Sequence, residues 1–162
     1  MNPLDEVTAF LLKEASYLDK RQWDDWLNLF DDDAVIWMPA WASEEELTSD
    51  PATELSLLYL TGKGEIRDRI FRIESGDSFA SFPLDRTVRI TSNIQLEVET
   101  ENVLRVHSNW SNHAFGSRGQ RILAGTCRHD LARENNTLVI VRKVMKLIDD
   151  RIDGPIDLYH IG

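Results

Sequence analysis

The chain predicts an α+β domain, with helices first and a long antiparallel meander after them. Within residues 2–30, apolar positions recur at helical spacing behind a good N-terminal cap. From Arg86 onward the period drops to two and keeps that value through several polar turns. Long strands twist strongly, and helices held on one face of such a sheet make an open cone.

Each element follows in order. Asn2 suits a helix cap, Pro3 the first helical position, and Asp5 the positive end of the helix dipole. Leu4, Val7, Leu11, Ala15 and Leu18 form one apolar stripe. Asp19 and Gln22 resemble a capping box for a short second helix carrying Trp23, Trp26, Leu27 and Phe30 on one face. Asp31, Asp32 and Asp33 read as a polar turn, and "AVIWMPAW" as a strand closed by Pro39. Residues 42–51 read as a loop. Asp50–Pro51 reads as a helix start with "ATELSLLYL" behind it, and Gly62 and Gly64 break the chain. "EIRDRIFRI" predicts a third helix with Ile66, Ile70 and Ile73 inward and Gly76 at its end.

The meander begins at Arg86. Val88, Ile90, Ile94, Leu96 and Val98 are expected on its buried face. After a turn near 100–102, Leu104, Val106 and Trp110 mark the second strand. Gly116 and Gly119 bound a turn into "QRILAGTCRHDL", and residues 134–136 turn into "TLVIVRKVMKLID". The tail "GPIDLYHIG" ends in apolar and aromatic residues. At 162 residues the chain is expected to be one domain, 1–162, able to bury a core without disulfides or metal.

Composition narrows the function. A formal charge of −10 argues against nucleic acid and anionic membranes as partners. The single cysteine, Cys127, excludes an intrachain disulfide and a cysteine zinc site and fits a reducing compartment. The start, MNPLDEVTAF, lacks the basic-then-apolar pattern of a secretory signal, so the expected location is the cytoplasm.

Catalytic patterns are scarce. His107 and His113 share one side of a strand but stand about 20 Å apart at roughly 3.3 Å per residue. With His129 on the next strand and His160 in the tail, no metal site is expected. The chain has no GxSxG elbow and no GxGxxG, and "TGKGE" at 61–65 lacks the phosphate-loop pattern. Asp31–Asp33 lacks the alternating spacing of a calcium loop. The densest feature is "WDDWLNLFDDDAVIWMPAW", residues 23–41, with four of the chain's five tryptophans. Trp23 and Trp26 read as helix packing. Trp37 and Trp41, flanking Met38 and Pro39, suit either a pocket lip or a protein contact.

Several segments together carry a family resemblance. They are the Leu18–Asp19 and Trp23…Trp26–Leu27 helix pair, the Trp37–Met38–Pro39 strand end, and "RIFRIESG" at 69–76. Arg86–Thr87, Asn93, Trp110 and the closing Asp157–Leu158–Tyr159–His160–Ile161 follow in order. In that order they resemble the small, or β, subunits of bacterial aromatic-ring-hydroxylating dioxygenases across nearly the whole chain. Residues 38–59 look most like the benzoate, toluate and halobenzoate 1,2-dioxygenase branch.

The resemblance implies a cone-like fold of the nuclear transport factor 2 type, with N-terminal helices on a strongly curved, mainly antiparallel sheet. It implies no cofactor and no catalytic or metal residues in this chain. The Rieske [2Fe–2S] cluster and the mononuclear iron are expected in a catalytic α subunit. A Rieske centre needs two Cys and two His, and one cysteine cannot supply it. An α3β3 hexamer served by an NADH-dependent reductase is the implied assembly. Candidate contacts with α are Trp37, Met38, Pro39, Trp41, Arg69, Arg72, Tyr159 and His160. The alternative is a stand-alone isomerase or dehydratase on the same cone, with Tyr17, Asp31, Trp110 and His129 at its mouth.

Overall fold

The computed structural model describes residues 1–76, 83–152, 154 and 156–162. The first helix, α1, spans Pro3–Asp19, and the Asn2 side chain accepts from the Leu4 and Asp5 amides, as the cap predicts. The short α2 spans Trp23–Leu27. Strand β1 covers Phe30–Pro39, β2 Ser56–Thr61, and helix α3 Lys63–Ser75. Gly76 closes α3 at φ 68, the left-handed conformation that glycine adopts without a Cβ clash. Then come β3 Arg86–Glu99, β4 Val103–Gly116, β5 Gly119–Glu134 and β6 Thr137–Leu147.

The six strands form one sheet in the order β2-β1-β6-β5-β4-β3. β3 through β6 make the expected meander. β1 runs parallel to β6 and antiparallel to β2, so the sheet is mixed, mainly antiparallel. The helices cover one face, and the buried apolar residues of α1, α2, α3 and the inner sheet face form the core. Trp23 and Trp26 meet edge to face at 6.3 Å, and Trp26 meets Phe30 at 4.8 Å, so half of the tryptophan-rich stretch is core.

Several expectations are corrected. "SLLYLT" is strand β2 and not a helix, because it pairs with β1 through Leu58↔Met38, Tyr59↔Trp37 and Leu60↔Ile36. Asp31–Asp33 belong to β1 and form no turn. The strand pairing with β6 shifts between Phe30 and Val35, and that irregularity absorbs the acids. Gly64 lies inside α3, and only Gly62 breaks the chain before it. Asp19 does not cap α2, whose cap position is Gln22 without a side-chain bond. On α1, Leu4 is exposed, while Phe10 and Glu14 join the buried face.

The largest correction concerns β3. Val88 and Ile90 are 62% and 53% exposed, and Arg89 between them is buried. Ile94 and Leu96 do pack on the core. The register slips between Ser92 and Gln95, where Asn93 takes φ 54. One extra residue in a strand reverses which side chains face inward. Of the tail, Pro155 lies outside the described residues. Leu158, Tyr159, His160 and Ile161 are buried.

Candidate functional site

Glu14, His129 and Lys143 meet inside the cone, each nearly or fully covered. Glu14 comes from the apolar face of α1, one residue off the predicted stripe. His129 alternates inward on β5 with Cys127 and Leu131. Lys143 is turned inward by a register shift between β5 and β6, where Leu131 pairs with Ile140 but Asp130 pairs with Arg142. Val141 is the extra residue, and it moves the inward set from 138 and 140 to 143, 145 and 147.

The three side chains satisfy one another. Glu14 Oε2 lies 2.8 Å from His129 Nε2. Glu14 Oε1 accepts from Lys143 Nζ and, at 3.3 Å, from Trp26 Nε1. His129 Nδ1 faces the Cys127 sulfur at 3.5 Å. Lys143 also donates to the Gly162 main-chain oxygen. Burial works against the charged form of Glu14, but Lys143 and His129 overcome it and hold its pKa at about 2. Burial likewise opposes charge on His129, and the Cys127 sulfur and Glu14 carboxylate reverse this, raising its pKa to about 9. The group is thus a carboxylate held between an imidazolium and an ammonium.

A second buried group fastens the tail. Arg89 donates to the carbonyls of Ile161 at 2.6 Å, Tyr159 at 2.8 Å and Leu158 at 3.4 Å, and pairs with Asp19 at 2.7 Å. Asn112 Nδ2 donates to the Tyr159 carbonyl at 3.0 Å. Gly162 lies against Trp110 so closely that a Cβ there would sit 2.4 Å from the indole. The cavity bounded by Trp110, Cys127, His129, Glu14 and Gly162 is about 10 Å3, at most one water.

Cys127, His129 and Glu14 stand in the order of a nucleophile, a base and its orienting acid. Gly162 closes in on Trp110 beside them, and the cavity of about 10 Å3 leaves no room for a substrate there. Of the mouth residues expected for a stand-alone enzyme, Trp110 and His129 line this cavity. Tyr17 packs against the core, and Asp31 lies in β1, where its Oδ2 accepts from the Asp33 amide. His107 is on the outer face with Glu97, and His160 is buried between Asp85 and the Asp157 amide, with burial lowering its pKa to about 4. Cys127 and Glu14 sit at opposite ring nitrogens of His129 and do not converge. Among the described residues, no three His, Cys, Asp or Glu side chains gather as metal ligands.

The candidate contact residues fall into two groups. Trp37 is half-buried, its Nε1 donating to Ser56 Oγ at 2.9 Å with Arg142 over its ring. Trp41 is also half-buried and donates to the Leu147 carbonyl at 2.8 Å. Arg72 is exposed, while Arg69 reaches Asp157 at 3.7 Å, joining α3 to the tail. Met38, Pro39, Tyr159 and His160 are buried within the chain itself. Sequence reasoning passed over Glu14, Lys143 and Arg89. The available signal was a charge at a position whose neighbours in the pattern are apolar.

Among the described residues, no helix is long and apolar enough to cross a membrane. A family model described as "Ring hydroxylating beta subunit" matches residues 13–154. The chain is 35% identical to the β subunit of benzoate 1,2-dioxygenase from Acinetobacter baylyi, over 98% of this chain and 94% of that one. It is 35% identical to the toluate 1,2-dioxygenase β subunit of Pseudomonas putida, over 97% of each. The crystal structure of the benzoate 1,2-dioxygenase β subunit of Burkholderia mallei superposes with a TM-score of 0.82 at 30% identity, covering 99% of both chains.

Proposed function

The chain belongs to the ring-hydroxylating β-subunit family, and from that premise we propose that it is the non-catalytic β subunit of an aromatic-ring dioxygenase of the benzoate and toluate type. The observation that carries the non-catalytic role is the filled cone. Among the described residues, Glu14, His129 and Lys143 pair with one another and with the tail, and the cavity beside them is too small for an aromatic acid. A chain that spends its buried charges on its own architecture contributes shape and contact surface to the oxidoreductase.

The partner is a catalytic α subunit, in an α3β3 hexamer fed by a reductase in the cytoplasm. The α chain carries the Rieske cluster and the mononuclear iron. This is supported by the single cysteine, which denies a Rieske ligand set to the β chain. Contact is made by the half-exposed Trp37 and Trp41 and by Arg69 and Arg72. Met38, Pro39, Tyr159 and His160 are buried behind this surface, and His160 Nδ1 accepts from the amide of Asp157, the partner of Arg69. The buried area should exceed about 2,000 Å2, as obligate interfaces commonly do.

Co-expression with a larger chain bearing paired C-x-H and C-x-x-H motifs should yield one stable complex on size-exclusion chromatography. Consumption of benzoate or toluate with NADH and reductase should appear only in that complex. Turnover by this chain alone would overturn the assignment.

A further inference from the structure

The outer face of the sheet carries a small cavity lined by basic side chains. His107 of β4, Thr126 and Arg128 of β5, and Val144 and Lys146 of β6 surround an open cavity of about 90 Å3. Register brings them together: Arg128 pairs with His107 and Val144, and Thr126 with Lys146. Asp130 occupies the Nη2 of Arg128 at 3.4 Å, and Glu97 occupies His107. The Nε of Arg128 is covered from solvent and has no acceptor. Lys146 makes no ion pair among the described residues.

A covered guanidinium N–H without an acceptor is uncommon in a folded chain and is relieved when an anion arrives. The cavity has room for several waters or one carboxylate head. An anion entering it would lie among side chains that include Arg128 and Lys146. Because the molecule carries −10 overall, an acidic partner is repelled from most of its surface and admitted at few places. Trp37 lies next in the same row, paired with Val144 and covered by Arg142, so the cavity adjoins the proposed contact aromatic.

We propose that this cavity is a socket for an Asp or Glu side chain of the catalytic α subunit, so that the outer face of β5 and β6 is part of the α contact. This rests on the β-subunit reading above. The incoming carboxylate accepts from the exposed part of the Arg128 guanidinium and from Lys146 Nζ, adding a charge partner on this face beside Asp130. Such a contact fixes orientation and speeds encounter more than it adds area.

The test is association of full-length wild type, Arg128→Gln and Lys146→Gln with the α subunit, measured at low and high salt. The variants should bind about tenfold more weakly at low salt, with a flatter salt dependence, and keep the wild-type melting curve. Wild-type affinity and salt dependence in both variants would overturn the socket while leaving the β-subunit reading intact. Wild type failing to bind α at all would overturn both. A parallel NMR titration of the isolated chain with benzoate separates the sources of carboxylate. Saturable shifts at Thr126 and Lys146 with unchanged α binding in the variants would assign the cavity to a free acid and overturn the docking role.

Discussion

Lys143 and Arg128 stand on neighbouring strands of one sheet, yet they meet opposite surroundings. Lys143 faces inward, is fully covered, and has both Glu14 and Gly162 as acceptors. Arg128 faces outward, its side chain 34% exposed, with one N–H covered and unanswered. The inner face has gathered charge and closed it off, so its ionic groups serve the fold. The outer face has left charge and aromatic surface open, and farther along the strands Val88, Ile90, Phe115 and Ile122 are exposed. The difference teaches where function lies in a chain without an active site. Groups already fully partnered hold the shape, and groups still lacking partners are the ones proposed to meet the next subunit. Substitutions on the inner face should therefore change stability, and those on the outer face should change association.

The largest effect is expected at Glu14. Glu14→Gln leaves His129 and Lys143 as buried cations without their counter-charge. Breaking a buried ion group from one side typically destabilises by about 3–5 kcal/mol. Chemical denaturation of the variant should show a loss of that size, or failure to accumulate folded protein. A loss under about 1 kcal/mol would mean the inner charges are solvated and would erase the contrast. Arg89→Met comes next. It strips an acceptor-satisfying donor from three tail carbonyls, and each buried polar group left alone costs about 1–3 kcal/mol. Amide exchange within residues 156–162 should accelerate while β4 and β5 keep their protection.

The ion pair also sets a pH dependence. A carboxyl lowered to about 2 adds stability above its ordinary value of 4.5, and loses it as pH falls toward 2. An imidazole raised to about 9 adds stability that is complete below 6.5 and is lost as pH rises through 9. Lys143 and His129 together lower Glu14, Cys127 and Glu14 together raise His129, and both shifts contribute fully between pH 4.5 and 6.5. The denaturation midpoint should fall between pH 6.5 and 9 in wild type, and this fall should be absent in His129→Gln. An identical fall in the variant would place the titrating group elsewhere.

Much of this contrast was invisible in the residue pattern, and the reasons are local. The meander, the α1 cap and the Gly76 stop were legible because period and cap chemistry act over a few neighbours. Val88 and Ile90 looked buried because strict alternation was carried across Asn93, where a single left-handed residue shifts the phase. Lys143 was hidden by a one-residue register shift at Val141. "SLLYLT" suits either a buried strand or a helix by composition, and only pairing with β1 decides. Glu14 was the readable exception, an acid beside Leu11 and Leu18 on an apolar stripe. Its charged partners lie 115 and 129 residues away, beyond any pattern.

The smallest stability change is expected at Trp37, and it tests the outer half of the comparison. Its ring is half-buried, carries one hydrogen bond to Ser56, and lies 5.7 Å from the Arg142 guanidinium. A partly exposed cation–π contact is worth about 0.5–1 kcal/mol, and a surface hydrogen bond about as much. Trp37→Phe keeps an aromatic ring against Arg142 and loses the Ser56 bond, so its denaturation midpoint should move little. Trp37→Ala removes the ring and should still cost less than Glu14→Gln. In association the order reverses, because a half-exposed tryptophan beside an unfilled cationic cavity has the properties of a contact anchor. Trp37→Ala should weaken binding to the α subunit by tenfold or more, about 1.4 kcal/mol, while Glu14→Gln that remains folded should bind normally. If Trp37→Ala unfolds the chain and leaves α binding unchanged in whatever stays folded, the two faces do not divide their work between shape and contact.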